Sequence, residues 1–169
     1  MPELYSLEPI DAPSLYLRLG LALIVGILIG GEREIKNKPA GLRTHMLVCF
    51  GSSLFVLLPI QLGLAVQNPE TLSRVMSGII SGVGFIGAGT ILRDRKVRGL
   101  TSAAAIWVSA ALGTAIGCGL WKIALTSALI CWFILRIVKR LESESILHWP
   151  INLQIKRARR NPDGRVNEQ

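Results

Sequence analysis

The sequence predicts an all-α membrane protein whose helices cross the bilayer five times. Half of its 169 residues are hydrophobic and only 18% are charged, which is less charge than a soluble domain of this length usually carries. The apolar residues are grouped into long uncharged runs of the length that a bilayer requires of a helix. Basic residues cluster after the first, third and fifth of these runs. These features indicate a polytopic helical membrane protein.

Each predicted span corresponds to one uncharged run. The spans are 14–31, 46–66, 75–92, 100–117 and 119–138. Acidic residues, without a basic cluster, precede the first run, and this favours a retained helix over a cleaved signal peptide. The last two spans are predicted to form a hairpin, because Gly117 and Gly119 provide a turn signal between them.

The basic residues predict the orientation of the chain. Sixteen of the 19 lie in segments 32–45 and 93–98 or after residue 135, so these segments are expected on the cytoplasmic side and the N-terminus outside. The net charge of +8 then reflects topology and contact with anionic membrane lipid, and no nucleic-acid partner is needed. We expect a short external segment at 1–13, a transmembrane domain at 14–140 and a short basic cytoplasmic tail at 141–169.

The third span has one face of small residues and an opposite face of bulky ones such as Ile79 and Val83. The small residues are Gly78, Ser81, Gly82, Gly84, Ala88 and Gly89. Small side chains let a second helix backbone approach closely in a bilayer. Two interpretations stay open: packing against helices of the same chain, and docking of a partner helix or lining of a path.

Similar small-residue spacing occurs in two other spans, at Gly26 and Gly30 and at Gly113 and Gly117. Residues 82–87 also match the G-x-G-x-x-G pattern of dinucleotide-binding proteins. We reject that match, because no strand precedes it and no acidic residue follows at the distance that ribose binding requires.

Polar residues gather at the predicted cytoplasmic ends of the first four spans. They are Glu32, Arg33, Arg43, Thr44, His45, Arg98 and Thr101. One interpretation is anchoring and capping of helix ends, in which Glu32 or Glu34 pairs with Arg43 or Arg98 and Thr44 or Thr101 caps a helix. The other is a recognition site for a partner protein or a small ligand. Arg74 is predicted to anchor the third span at the outer surface.

No acidic residue lies in the middle of a predicted span. A Mg²⁺ site needs one or two carboxylates, and proton coupling normally uses a buried acid or histidine. The chain by itself is therefore expected to be a poor ion transporter. The three cysteines lack a metal-binding spacing, and no catalytic motif is present, so we predict no metal, no cofactor and no enzyme activity.

Four blocks of the sequence resemble the MgtC/SapB family of bacterial inner-membrane proteins. They are residues 29–34 (I-G-G-E-R-E), 40–48 (A-G-L-R-T-H-M-L-V), 77–92 around G-F-I-G-A-G-T-I-L, and 97–107 beginning V-R-G-L-T-S-A-A. The family usually has leucine at Ile86, a second threonine at Ser102, and an acid at Thr71, where this sequence has Glu70 one residue earlier. Longer members carry a C-terminal ACT-like domain, for which this tail is too short.

The resemblance implies a multi-pass protein of the bacterial inner membrane that supports growth or survival when magnesium is low. It further implies modulation of other membrane proteins, such as the F-type ATP synthase or a magnesium-transporting P-type ATPase, and leaves a homo-oligomer possible. The alternative is a magnesium or other ion permease, formed only in an oligomer.

Overall fold

The computed structural model describes residues 8–68, 70–93 and 97–138, and this part of the chain is almost entirely helical. The elements are α1 Ala12–Ile35, α2 Leu42–Gln61, α3 Leu64–Gln67, α4 Glu70–Gly89, β1 Leu92–Arg93, β2 Val97–Arg98, α5 Leu100–Gly117 and α6 Trp121–Phe133, which continues as a π-helical segment at Ile134–Val138. The all-α class is thus confirmed. The predicted tail at 141–169 and the first seven residues of the predicted external segment lie outside the described residues.

Four helices, α1, α2, α4 and α5, are long and apolar enough to cross a membrane. The fifth predicted span is divided between the 13 residues of α6 and the five of the π-helical segment. An α-helix of 13 residues is shorter than a bilayer requires. Within the described ranges, the structure therefore gives four candidate spans where the sequence predicts five.

The third predicted span, 75–92, is displaced toward the N-terminus in the structure. Helix α4 begins at Glu70 and ends at Gly89. At its start, the Glu70 N–H donates a hydrogen bond of 3.1 Å to Oδ1 of Asn68, and Glu70 and Arg74 form an exposed ion pair at 3.3 Å, one helical turn apart. It ends early because Leu92 pairs with Arg98 in the β1–β2 ladder. In contrast, α5 matches the predicted span 100–117 residue for residue.

Helix α5 lies at the centre of the bundle and packs against α1, α2, α4 and α6. The main core cluster joins Ile29 of α1, Cys49 of α2, Leu112 of α5 and Ala128 of α6. Burial of apolar surface does not by itself hold helices together in lipid, since lipid tails are equally apolar. Close packing and polar contacts must therefore hold this core.

Glycines provide that close packing at both interfaces of α2. A Cβ atom at Gly26 of α1 would lie 2.7 Å from the Cα atom of Met46, and one at Gly113 of α5 would lie 2.0 Å from the carbonyl oxygen of Cys49. Gly30 and Gly117 are similarly close to α2. The two glycine pairs with helical spacing thus bring three helices into backbone contact.

Two turns depend on glycine because the chain adopts positive φ there. Gly99, with φ of 95°, begins α5, and Gly119, with φ of 80°, connects α5 to α6. The side chain of Arg18 lies against Gly119, and its Nη1 donates a hydrogen bond of 2.8 Å to the carbonyl oxygen of Gly117. The C-terminal end of α5 carries partial negative charge, and it therefore favours a cation at this position.

Candidate functional site

The small face of α4 points away from the rest of the described chain. Its six predicted members, Gly78, Ser81, Gly82, Gly84, Ala88 and Gly89, are all exposed. A Cβ atom added at any of the four glycines would meet no heavy atom within 4 Å. The residues of α4 that are buried are Leu72, Val83 and Gly87. Helix α4 thus packs through Leu72, Val83 and Gly87, and its small face is left uncovered by the described residues together with the bulky side chains of Phe85 and Ile86.

An apolar groove runs beside this face, between α2 and α4. Its cavity volume is about 840 Å³. The α2 wall includes Gly51 and Phe55, and the α4 wall includes Gly78, Gly82 and Ile86. A smaller cavity of about 260 Å³ lies on the other side of α4, against Trp107 of α5. The groove wall is apolar, and glycine on both helices makes it deep.

The predicted polar patch divides into a buried layer and an exposed rim. We call the end of the bundle where α1 ends and α2 begins the basic end. Glu32, Arg33 and His45 are buried there. Thr44 is half-buried, whereas Arg43, Arg98 and Thr101 are exposed. The structure thus brings three of the seven predicted residues into the interior.

Arg33 connects α1 to α5 inside the bundle. Its Nη2 donates a hydrogen bond of 2.9 Å to Oγ of Ser102, and its Nη1 lies 3.8 Å from a carboxylate oxygen of Glu32. Glu32 also forms an ion pair with Lys36, whose Nζ lies 3.5 Å from the carbonyl oxygen of Leu135 in the π-helical segment. The buried acid therefore has two cations beside it.

His45 connects α2 to α5 in the same layer. Its Nδ1 lies 2.8 Å from Oγ of Ser109, and both side chains are completely buried. Helix α1 lies close to the base of the same side chain, because a Cβ atom at Gly30 would lie 3.0 Å from the His45 Cβ. Three helices therefore fix the position of this imidazole.

The predicted pairing of Glu32 or Glu34 with Arg43 or Arg98 is wrong within the described chain. Glu32 pairs with Lys36 and Arg33, and Oε2 of Glu34 accepts a hydrogen bond of 2.9 Å from the backbone N–H of Leu42. Arg43 and Arg98 form no ion pair with another described residue. The reason is helical spacing, since Lys36 lies one turn after Glu32 on the same helix.

The predicted caps at Thr44 and Thr101 are also wrong. The N-cap residues are Gly41 for α2 and Gly99 for α5, so both threonines lie inside the first turn. Glu34 supplies part of the missing cap through its contact with Leu42. Arg74 lies on the exposed surface of α4, at the end of the bundle opposite the basic end, with Glu70 as its ion-pair partner.

Sequence reasoning did not select Ser102, Ser109 and Lys36. The two serines lie in an apolar run, where nothing in the residue types distinguishes a buried hydroxyl from an exposed one. Spacing offers a partial signal, because Ser102 and Ser109 are seven residues apart and so lie on one face of α5. Lys36 could have been found from its position four residues after Glu32.

Known proteins resemble this chain over most of its length. The profile described as the MgtC family matches residues 19–144. Protein SrpB of Synechococcus elongatus is 45% identical over 145 residues, which cover 78% of this chain and 79% of that protein. No solved structure gives a significant match.

Two further relatives are longer than the aligned region. Protein MgtC of Salmonella typhimurium is 41% identical over 115 residues, which cover 68% of this chain and 48% of that protein. YhiD of Escherichia coli, whose name proposes a magnesium transporter, is 39% identical over 133 residues, which cover 74% of this chain and 60% of that protein. The chain thus spans about half of MgtC. The profile match, the relatives and the four apolar helices together identify a multi-pass membrane protein that belongs to the MgtC family.

Proposed function

We propose that this chain is a non-enzymatic protein of the bacterial inner membrane that acts in magnesium homeostasis by helix contact with other membrane proteins. The partners that the family resemblance implies are the ATP synthase and a magnesium-transporting ATPase. The observation that carries the proposal is the outward-pointing small face of α4. The magnesium connection rests on the family and on the name of YhiD.

The small face differs from the other outer surfaces of the bundle. Exposed residues of α1 include Leu17, Ile24 and Leu28, and those of α6 include Leu129 and Phe133. Bulky apolar side chains of this kind suit contact with lipid. Glycine and serine in a bilayer are instead typical of helix–helix interfaces. The small face of α4 therefore has the composition of a surface that protein covers, and the exposed ring of Phe85 lies beside it.

Small residues also provide close helix packing within this chain. Gly26, Gly30, Gly113 and Gly117 each lie against the backbone of a neighbouring helix. On α4, Gly78 and Gly82 repeat this spacing but face open space beside the α2–α4 groove. A transmembrane helix of a second protein could approach α4 as closely as α1 approaches α2. We take this as the docking mode.

The proposed topology has five spans, with the N-terminus outside and the C-terminus in the cytoplasm. α6 and the π-helical segment form one 18-residue helical path from Trp121 to Val138. Cation–π contacts mark its ends, with Lys122 over Trp121 at 5.5 Å and Arg136 over Trp132 at 5.4 Å. Such pairs suit the two membrane surfaces. The basic end then faces the cytoplasm, as the positive-inside rule requires.

The core of one chain is a poor path for a hydrated ion. Backbone contacts at Gly113 and Gly117 close the interface between α2 and α5. The buried acid of the described part, Glu32, is held by Lys36 and Arg33. Mg²⁺ keeps several waters and needs carboxylates that are free to bind it. Both features favour contact with partners over transport.

The second candidate is a magnesium or other ion permease that forms only between several chains. The burial of Glu32 and Arg33 near the end of a membrane-spanning helix favours it, because ionisable residues at such positions often mark transport paths. The open groove of α4 would then line the path or hold the neighbouring chain.

Capture from native membranes tests the docking proposal. Gly82→Leu should fill the space beside the groove and reduce recovery of co-purifying membrane proteins from cells grown in low magnesium. Gly20→Leu is the matched control, because a Cβ atom at Gly20 of α1 also meets nothing within 4 Å but lies away from the groove. Equal recovery with both variants would reject α4 as the docking face. Magnesium flux into liposomes that contain only this protein would favour the permease.

A further inference from the structure

The buried layer at the basic end contains two nitrogen atoms without a hydrogen-bond partner among the described residues. They are Nε of Arg33 and Nε2 of His45. Arg33 is 3% exposed and His45 is 0% exposed. Each side chain is held by its other nitrogen, Arg33 by Ser102 and His45 by Ser109. Two fixed polar groups thus have hydrogen-bonding capacity that the surrounding helices do not use.

A polar group that is buried without a hydrogen-bond partner lowers the stability of a protein. Nearly all such groups in native proteins are paired with protein or with ordered water. The backbone of Ala40 lies near the His45 ring, but no hydrogen bond to Nε2 meets the usual limits of distance and angle. A small polar ligand in this layer would provide the missing hydrogen-bond partners.

The chemistry of the two nitrogens selects that ligand. Nε of Arg33 can only donate a hydrogen bond. Nε2 of His45 accepts one if Nδ1–H donates to Ser109, and donates one in the other tautomer. Water is both donor and acceptor, so it suits both tautomers and also the arginine. A metal ion would meet the positive charge of Arg33, and no group of three candidate ligands occurs among the described residues.

We propose that this layer binds internal water, which hydrogen-bonds Nε of Arg33 and Nε2 of His45 and lets His45 exchange protons with the solution at the basic end. In that exchange the imidazole gains or loses one proton to water, and no other bond changes.

The packing of α5 against α2 closes the proposed site toward the end of the bundle opposite the basic end. Toward the opposite end, a Cβ atom at Gly113 would lie 2.0 Å from the Cys49 carbonyl oxygen and one at Gly117 would lie 2.8 Å from the Ser53 carbonyl oxygen. These contacts leave no room for water between α2 and α5. Toward the basic end, Glu32 pairs with Lys36, whose side chain is 28% exposed. The polar groups thus continue from the layer to the solvent.

The charged neighbours of His45 oppose each other. From α1, the positively charged Arg33 and the negatively charged Glu32 both lie near the ring. From α5, the partner is the hydroxyl of Ser109, and on α2 itself Cys49 lies one turn away. Among the described residues, the charged groups that act on this ring thus come from α1.

Water-edited solid-state NMR of the isotope-labelled protein in lipid bilayers tests the proposal. The chain has two histidines, so His148→Asn assigns the His45 ring signals. Magnetisation from water should reach Nε2 of His45 and Nε of Arg33 several-fold faster than the backbone amide of Val56, which is 0% exposed. Transfer no faster than to Val56 would show a dry layer and overturn the proposal.

Sealed vesicles test the direction of access. Their orientation can be read with Asn37→Cys and a membrane-impermeant maleimide, because Asn37 is exposed at the basic end. The His45 ring signals should follow the pH of the compartment that Asn37 faces, and should not change with the pH of the other compartment. A response to the other compartment, or to neither, would overturn the proposal. This result does not depend on whether α4 docks a partner.

Discussion

Arg33 of α1 and Ser102 of α5 are joined by a buried hydrogen bond, in which Nη2 of the arginine donates to Oγ of the serine at 2.9 Å. Residues 69 positions apart in sequence are thereby connected at the basic end of the bundle. A guanidinium group that is only 3% exposed depends on such contacts, since it cannot keep its own hydration shell. The bond gives the α1–α5 interface a polar contact that close packing alone does not supply.

Removal of this hydroxyl should destabilise the fold. We expect Ser102→Ala to lower the free energy of unfolding by about 1–3 kcal/mol, because a hydrogen bond to a charged group is lost and the buried guanidinium is left with less compensation. Thr101→Ala is the matched control, since Thr101 is exposed in the same turn. Reversible unfolding in mixed micelles measures both. Equal stability of the two variants would contradict a role for the Arg33–Ser102 contact.

The glycine contacts between α2 and α5 should tolerate no added methyl group. In Gly113→Ala the new Cβ would lie 2.0 Å from the Cys49 carbonyl oxygen, so the helices must separate at a cost of about 1–3 kcal/mol. Gly84→Ala should be neutral or stabilising by up to about 1 kcal/mol, because the site is open and alanine favours a helix. Thermal unfolding should show a lower midpoint for Gly113→Ala and an equal or higher midpoint for Gly84→Ala, and a loss of stability in Gly84→Ala would contradict the open face.

Lys36 should matter more to stability than a surface cation does. Lys36→Met would leave the buried carboxylate of Glu32 with only the distant guanidinium of Arg33, and loss of one partner of a buried pair costs up to about 3 kcal/mol here. Arg74→Met removes an exposed pair and should cost less than about 1 kcal/mol. Chemical unfolding at low and high salt separates them, since only the exposed pair should be weakened by salt.

How much of this fold the sequence predicts depends on the kind of signal. Span 100–117 is predicted without error because a charged loop and a glycine turn bound it. The start of α4 is missed because the prediction excludes the charged residues Glu70 and Arg74, whereas the helix begins at Glu70, whose N–H is bonded by the side chain of Asn68. The separation of α6 from its π-helical segment has no signal in residue type.

The candidate site shows the same division. Helical spacing finds the small face of α4, because residue size and periodicity are both visible in sequence. Which side of α4 faces the bundle is a tertiary property, and either side could pack. The buried layer is predicted in part, since charge marks Glu32, Arg33 and His45, but their partners Ser102 and Ser109 come from another helix. Because the partners are far apart in the sequence, such pairs cannot be recognised from residue types and spacing.

The contact of Arg18 with the end of α5 gives a last prediction. Nη1 of Arg18 donates to the Gly117 carbonyl oxygen at 2.8 Å, and the guanidinium also lies against Gly119. Arg18→Met should cost about 1–2 kcal/mol, because the last turn of α5 loses a charged hydrogen bond at its negative end. The loss should be local, so the backbone amides of Gly119 and Leu120, which bond to Ile116 and Ala115, should exchange hydrogen faster. Lys122→Met is the control, since Lys122 is exposed and its ammonium group lies over the Trp121 ring. Unchanged exchange at Gly119 in Arg18→Met would mean that glycine geometry alone holds this turn.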